Sequence, residues 1–150
     1  MNNFREKAII FDFDGTLSNT EHREHYLEKT PKDWKGFFKD ADLDPPHEWC
    51  LELVRMCLDR NYKILIVTGR HEGMRELSET WLKKYQVSYE RMWMREDEDH
   101  RSDSEIKAEI YKRDIEQFFE ILFVVDDRKS VVKTWRELGL TCLQCAPGEF

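Results

Sequence analysis

No apolar run in this chain approaches the roughly twenty residues that a membrane-spanning helix needs; the longest are strand-sized. The opening stretch from Met1 to Lys7 leads into no apolar core of a signal peptide, so no export signal is expected and a cytoplasmic setting is. No segment repeats, and none is of low complexity. Excess positive charge is also missing. The formal net charge is −7, which argues against a protein that coats duplex nucleic acid non-specifically. It leaves room for one that grips a strand end with a few arginines. Of four cysteines, Cys142 and Cys145 have C-x-x-C spacing, but no second pair accompanies them. In a strand, those two positions face opposite sides, which suits two buried thiols better than a metal chelate.

What is present points to a folded chain of domain size. Hydrophobic residues make up 40% and five are tryptophans, which excludes disorder, and 150 residues suffice for one domain with its own core. Short β-rich runs alternate with helical patterns, as in an α/β domain. Strands are expected at Ala8–Phe13, Lys63–Val67, Arg91–Met94, Ile121–Val125 and Thr141–Gln144. The nearly continuous apolar character of the first, second and fourth suits parallel strands covered on both faces. Helices are expected over Pro46–Arg60, with Trp49, Leu53, Met56 and Cys57 as its apolar face, and over Glu72–Tyr85, Asp103–Phe118 and Lys129–Leu138. The segment of about residues 18–45 is too long for a tight connection and reads as a partly helical flap over the sheet. The acidic stretch Glu96, Asp97, Glu98 and Asp99 reads as a solvated loop.

Two strands stop on paired acids. Asp12-Phe13-Asp14-Gly15-Thr16 closes the first strand, and Asp126-Asp127 closes the fourth. Carboxylates at the end of such apolar runs are costly unless something pairs them. The C-terminal edge of an open parallel sheet is where ligands bind. Neighbouring first and fourth strands would bring four carboxylates to one edge, where a divalent cation relieves their repulsion. Thr68-Gly69-Arg70 after the second strand offers a hydroxyl, a flexible glycine and an arginine suited to a phosphate oxyanion. Lys107 stands on the helix that leads to the fourth strand.

Taken in this order, D-x-D-G-T, a hydroxyl, a lysine and D-D, the residues resemble the four motifs of the haloacid dehalogenase (HAD) superfamily of phosphotransferases. The resemblance implies a Rossmann-like three-layer α/β sandwich with a five-stranded parallel sheet in the order 5-4-1-2-3 and a minimal cap. It implies Asp12 as the nucleophile that becomes an aspartyl-phosphate and Asp14 as the acid and base. Mg2+ would be held by Asp12, the carbonyl of Asp14, and Asp126, with Asp127 in support. Lys107 would offset phosphoryl charge, and Thr68 would hydrogen-bond the transferring phosphoryl oxygens. A narrower resemblance, to the 3′-phosphatase domain of phage-type polynucleotide kinase-phosphatases, rests on Arg23, Thr68-Gly69-Arg70, Asp103 four before Lys107, Asp126-Asp127-Arg128, Val132, Trp135-Arg136 and Pro147-Gly148-Glu149-Phe150. It implies that Arg23, Gly69, Arg70 and Asp103 serve substrate binding. One helical turn separates Asp103 from Lys107, so Asp103 is expected to hold that ammonium in place. The chain has no G-x-x-x-x-G-K-[ST] phosphate loop, which excludes 5′-phosphorylation by that route.

A single domain over residues 1–150 with no domain-sized lid suits an open site that admits a polymer end. The expected substrate is therefore a 3′-phosphorylated end of DNA or RNA, processed beside a separate kinase or ligase and away from any membrane. A small-molecule phosphatase such as a nucleotidase is the alternative, and an inactive phosphate-binding partner protein a distant one. Trp34, Phe37 and Phe38 in the flap either form a local mini-core or stack a terminal base.

Overall fold

The computed structural model describes residues 4–149. Met1, Asn2 and Asn3, where the segment read for a signal begins, and Phe150 of the terminal motif lie outside the described residues. Five parallel strands, β1 (Glu6–Phe11), β2 (Lys63–His71), β3 (Arg91–Arg95), β4 (Phe119–Arg128) and β5 (Cys142–Gly148), form one sheet in the order β3-β2-β1-β4-β5. This is the expected order. The helices are α1 (Trp34–Lys39), α2 (Glu48–Asp59), α3 (Arg75–Lys84), α4 (Asp103–Ile110) and α5 (Lys129–Glu137). Among the described residues, no helix is long and apolar enough to cross a membrane.

The central strand explains the layers. Ala8, Ile9, Ile10 and Phe11 of β1 are all fully buried, because apolar side chains alternate onto two covered faces. Ile9 and Phe11 join a core with Ile64, Ile66, Leu51 and Val54 of α2, and Trp81 and Leu82 of α3. Ala8 and Ile10 join the opposite core with Leu65, Val67, Ile106 and Ile110 of α4, and Val131 and Trp135 of α5. Cys142 belongs to the second core and Cys145 packs against the first, as their spacing on a strand implies; both thiols are free.

Several boundaries differ from the expectation. The buried face of α2 is Cys50, Leu51, Val54 and Cys57, whereas Trp49 and Met56 are exposed. Two apolar stripes share this helix at the same period, so periodicity alone could not choose between them. β2 continues through Thr68-Gly69-Arg70 to His71, but its pairing with β3 slips between Val67 and His71. The expected helix over Asp103–Phe118 becomes a π-helical turn at Tyr111–Ile115. The helix over Glu72–Tyr85 opens as a 3₁₀ turn at Glu72–Met74 before α3.

Between β1 and α2, the chain forms 3₁₀ turns at Glu21–Glu28 and Ala41–Leu43 with α1 between them. Its two ends are fastened together: Asn19 N–H donates to the Pro45 carbonyl at 2.8 Å, and His47 N–H to the Leu17 carbonyl at 2.9 Å. Phe37 is buried, and the ring of Phe38 lies 5.3 Å from it. The mini-core reading therefore holds for these two aromatics.

Burial predicts unequal costs along the sheet. Leu65→Ala removes a fully buried side chain and should destabilise the protein by about 2–5 kcal/mol. Leu143→Ala, at a 47% exposed position, should stay within about 0.5 kcal/mol. Urea midpoints at equal slope check both; equal shifts would contradict the assigned core.

Candidate active site

The two acid pairs meet at the C-terminal edge of the sheet. Asp12 follows β1 directly, and its N–H extends the ladder to the Val125 carbonyl at 3.0 Å. That bond keeps Asp12 level with Asp126 and Asp127 at the end of β4. One carboxylate oxygen from each of Asp12, Asp126 and Asp127 lies within 4.8 Å of the other two, and all three side chains are buried. Lys107 reaches in from α4: its Nζ donates to Asp12 Oδ1 at 2.8 Å and to Asp126 Oδ2 at 2.9 Å. Thr16 Oγ1 donates to Asp12 Oδ2 at 3.3 Å, and Trp135 Nε1 donates to Asp126 Oδ2 at 3.1 Å. Gly15 makes the close approach feasible. Its φ is +82°, and a Cβ there would lie 2.2 Å from Asp127 Oδ2.

This cluster is electrostatically unbalanced. Among the described residues, three buried carboxylates face the Lys107 ammonium. Burial and the Asp126 charge push the Asp12 carboxyl well above its ordinary value, and the same two causes push Asp127 up to about 7. Burial works against the charge on Lys107, but Asp12 and Asp126 outweigh it and raise its pKa. A divalent cation is the group that would balance such a set, and hard oxygen donors of this kind are what Mg2+ takes. The donors therefore fit the ion that the motifs imply.

Asp14 does not join the other three. Its side chain turns to two arginines instead, so three carboxylates rather than four gather in the cluster. Arg70 donates from Nη2 at 2.6 Å and from Nε at 3.1 Å to Asp14 Oδ1, and Arg23 Nη2 donates to the same oxygen at 2.6 Å. Burial alone would raise the Asp14 carboxyl, but Arg70 and then Arg23 hold it down at about 2. Both arginines are fully buried. Arg70 lies 3.8 Å above the Phe13 ring and donates to Ser78 Oγ at 2.8 Å. Arg23 lies 4.2 Å above the Phe37 ring and donates from Nε to Asp44 Oδ1 at 2.7 Å. Asp44, itself fully buried, also accepts Arg23 Nη2 on Oδ2 at 2.5 Å and lies 2.6 Å from His22 Nε2. Its backbone carbonyl accepts Trp81 Nε1 at 2.8 Å. Two guanidinium and two carboxylate groups thus compensate one another, which permits their burial.

Asp103 departs from the expectation that it holds Lys107. Its carboxylate pairs with Arg95 through Nη2 and with Arg128 through Nη1 at 2.9 Å, while Lys107 takes Asp12 and Asp126. The carboxylates at the strand tips outcompete a neighbour one helical turn away because they lie inside, where the ammonium also is. Gly69 is needed beside Asp103, since a Cβ would come within 2.6 Å of the Asp103 carboxylate. Thr68, two residues past the last β1–β2 rung at Phe11 and Ile66, is buried and accepts the Arg70 N–H on Oγ1 at 3.1 Å.

Three residues of this edge carried no readable signal. Asp44 precedes Pro45-Pro46, where an aspartate ordinarily marks a turn. Arg95 looks like the start of a charged loop, yet it donates to the carbonyls of Gly69 at 3.0 Å and Asp99 at 2.9 Å. Ser78 is a small hydroxyl residue with many structural uses, whereas Thr16 was named in the D-x-D-G-T motif without a role of its own.

Three comparisons bear on this geometry. The family described as "Polynucleotide kinase PNKP phosphatase domain" matches residues 6–150. A protein of Autographa californica nuclear polyhedrosis virus, assigned as a bifunctional polynucleotide kinase/RNA ligase, is 26% identical over 135 residues, covering 89% of this chain and 18% of its own. A chain in the structure of a Pnkp1/Rnl/Hen1 complex superposes with a TM-score of 0.83 at 36% identity, covering 97% of this chain and 48% of its own. The class C acid phosphatase from Bacillus anthracis with tungstate bound shares the fold, with a TM-score of 0.67 at 13% identity over 97% of this chain and 68% of its own. The chain thus spans less than half the length of the kinase/ligase and Pnkp1 relatives. With its sheet order, its acid pairs and a family match over nearly every residue, the chain belongs to the phosphatase-domain family of polynucleotide kinases, within the HAD superfamily of phosphatases.

Proposed function

We propose that this phosphatase is Mg2+-dependent and removes the 3′-terminal phosphate from DNA or RNA ends through an aspartyl-phosphate on Asp12. The observation that carries the reading is the buried Asp12–Asp126–Asp127 cluster with Lys107 2.8 Å from Asp12. Carboxylates of Asp12, Asp126 and Asp127, with the Asp14 carbonyl, would hold Mg2+, whose positive charge offsets that of the phosphoryl group.

The chain's own residues then divide the work. An Asp12 oxygen attacks phosphorus while the bond from phosphorus to the 3′ oxygen breaks. Lys107 keeps that carboxylate oriented and carries positive charge beside the developing phosphoryl oxyanions. The Thr68 hydroxyl donates to one phosphoryl oxygen. Asp14, which takes up a proton from solvent once its arginine partners no longer hold it ionised, gives that proton to the departing 3′ oxygen, then takes one from the water that hydrolyses the aspartyl-phosphate. For this it must leave Arg23 and Arg70, whose guanidinium groups then face substrate phosphate in its place. Gly69 lets Asp103 close against the β2 tip, where it anchors Arg95 and Arg128 at the mouth of the site. The named relatives join kinase, ligase or further subunits, and a separate kinase or ligase acting on the product is part of the same reading. So is a single domain over residues 1–150 in a cytoplasmic setting.

A panel of 3′-phosphorylated oligonucleotide, 3′-mononucleotide and 5′-mononucleotide tests the substrate. The oligonucleotide should give the highest kcat/KM; turnover of 5′-mononucleotide alone would overturn the reading in favour of a nucleotidase. Asp12→Asn should lower kcat on the order of 10⁴-fold with the fold intact. Comparable residual turnover would remove Asp12 as nucleophile. Asp14→Asn should slow alkyl phosphates far more than nitrophenyl phosphate, whose leaving group needs no proton. Equal slowing would count against the acid. Mg2+ at about 100 times its Kd should stabilise the protein by about 2.7 kcal/mol in thermal melts. Joint Asp126→Asn and Asp127→Asn substitution should erase that shift, and an undiminished shift would place the ion elsewhere.

A further inference from the structure

We infer that Trp34 is the platform on which the unpaired base next to the scissile 3′-phosphate stacks. The inference rests on the proposed function and narrows its substrate to ends whose last base is free to leave a duplex.

Three flap aromatics could have served, and burial separates them. Phe37 is only 3% exposed and lies under the Arg23 guanidinium, so no base can reach it. Phe38 is half-buried and packs against the core beneath α2 and α3. Trp34 is 38% exposed at the start of α1. Its ring is braced from within, edge-on to Phe37 at 5.9 Å and stacked on Phe38 at 6.1 Å with 23° between planes. A partly exposed aromatic ring braced by two further rings costs little conformational entropy when something stacks on it.

Its place relative to the chemistry is the second observation. Arg128 directly follows the proposed metal ligand Asp127, and its guanidinium lies 5.7 Å from the Trp34 ring centre. Arg128 is fixed there by Asp103, which Arg95 holds in turn. On the flap itself, Lys32 Nζ lies 5.8 Å from the same ring. One exposed ring with two cations near it, one of them next in sequence to a proposed metal ligand, matches what a terminal nucleotide offers: a π face and its phosphates. Proteins that hold single strands combine these elements, an aromatic face for the base and cations for the backbone. The acidic character of the whole chain does not oppose this, because the cations are local to the ring.

Stacking tolerates any base, so the platform discriminates strand state and not sequence. A base paired in a blunt duplex presents its face to its neighbour in the stack and must be unstacked first. A single-stranded or frayed end reaches Trp34 without that cost.

The test compares kcat/KM of wild type, Trp34→Ala, Trp34→Leu and Trp34→Tyr on three 3′-phosphorylated oligonucleotides: single-stranded, single-stranded with an abasic terminal sugar, and blunt duplex. Wild type should prefer the first. Trp34→Ala and Trp34→Leu should each lose roughly 5- to 150-fold on it, mainly through KM, and little on the abasic strand. Trp34→Leu keeps apolar bulk over Phe37 and Phe38, so it separates stacking from support of the flap. Trp34→Tyr should recover most of the loss. Equal losses on normal and abasic strands, no loss on either, or wild-type preference for the blunt duplex would each overturn the inference. Failure of wild type to turn over any 3′-phosphorylated oligonucleotide would instead sink the proposed function, and this inference with it.

Discussion

Charge imbalance at the tips of β1 and β4 is the constraint on which this structure turns. Asp12, Asp126 and Asp127 are buried within one ligand sphere, and Lys107 pairs with Asp12 and Asp126. Buried carboxylates in such number are unfavourable in a protein that needs them only for stability. The surrounding features serve this approach. Asp12 continues the ladder to β4, Gly15 leaves room for Asp127, and Trp135 caps an oxygen of Asp126. Perturbed acids gathered in this way are a mark of chemistry, and the family match agrees with that reading.

A second cluster beside the first is nearly its opposite. Arg23, Arg70, Asp14 and Asp44 balance one another, two charges against two. Phe13 and Phe37 lie beneath the guanidinium planes, so the arginines are held by rings as well as by acids. Asp14 belongs to both clusters by position: its backbone adjoins the carboxylate site, and its side chain belongs to the arginine site. That double membership suits a group proposed to exchange partners during turnover. The third group, Arg95–Asp103–Arg128, ties the ends of β3 and β4 to the start of α4.

Much of this was legible from local pattern. β1 and β4 stop on acid pairs because apolar runs buried on both faces cannot carry charge inward and can carry it only at their ends. The opposed placement of Cys142 and Cys145 follows from strand alternation alone. The face of α2 was only half legible: Leu53 and Cys57 of the expected face meet the core, but Trp49 and Met56 do not, because Cys50 and Val54 share the period and only the sheet decides which side it covers. Nor was Asp44, whose partners His22, Arg23, Arg70 and Trp81 are distant in sequence and brought together by the flap, β2 and α3.

By itself, the sequence determined which residues carry the charge and at which strand ends, because burial and alternation are one-dimensional rules. It also determined the family, through four motifs in order. Only the tertiary structure decided how those charges pair. Lys107 prefers Asp12 and Asp126 to the helical neighbour Asp103, Asp14 prefers two arginines to the other acids, and Trp34 alone of three flap aromatics stays open. Pairing depends on distances of a few ångströms between groups far apart in the chain, and those distances exist only once the layers have packed.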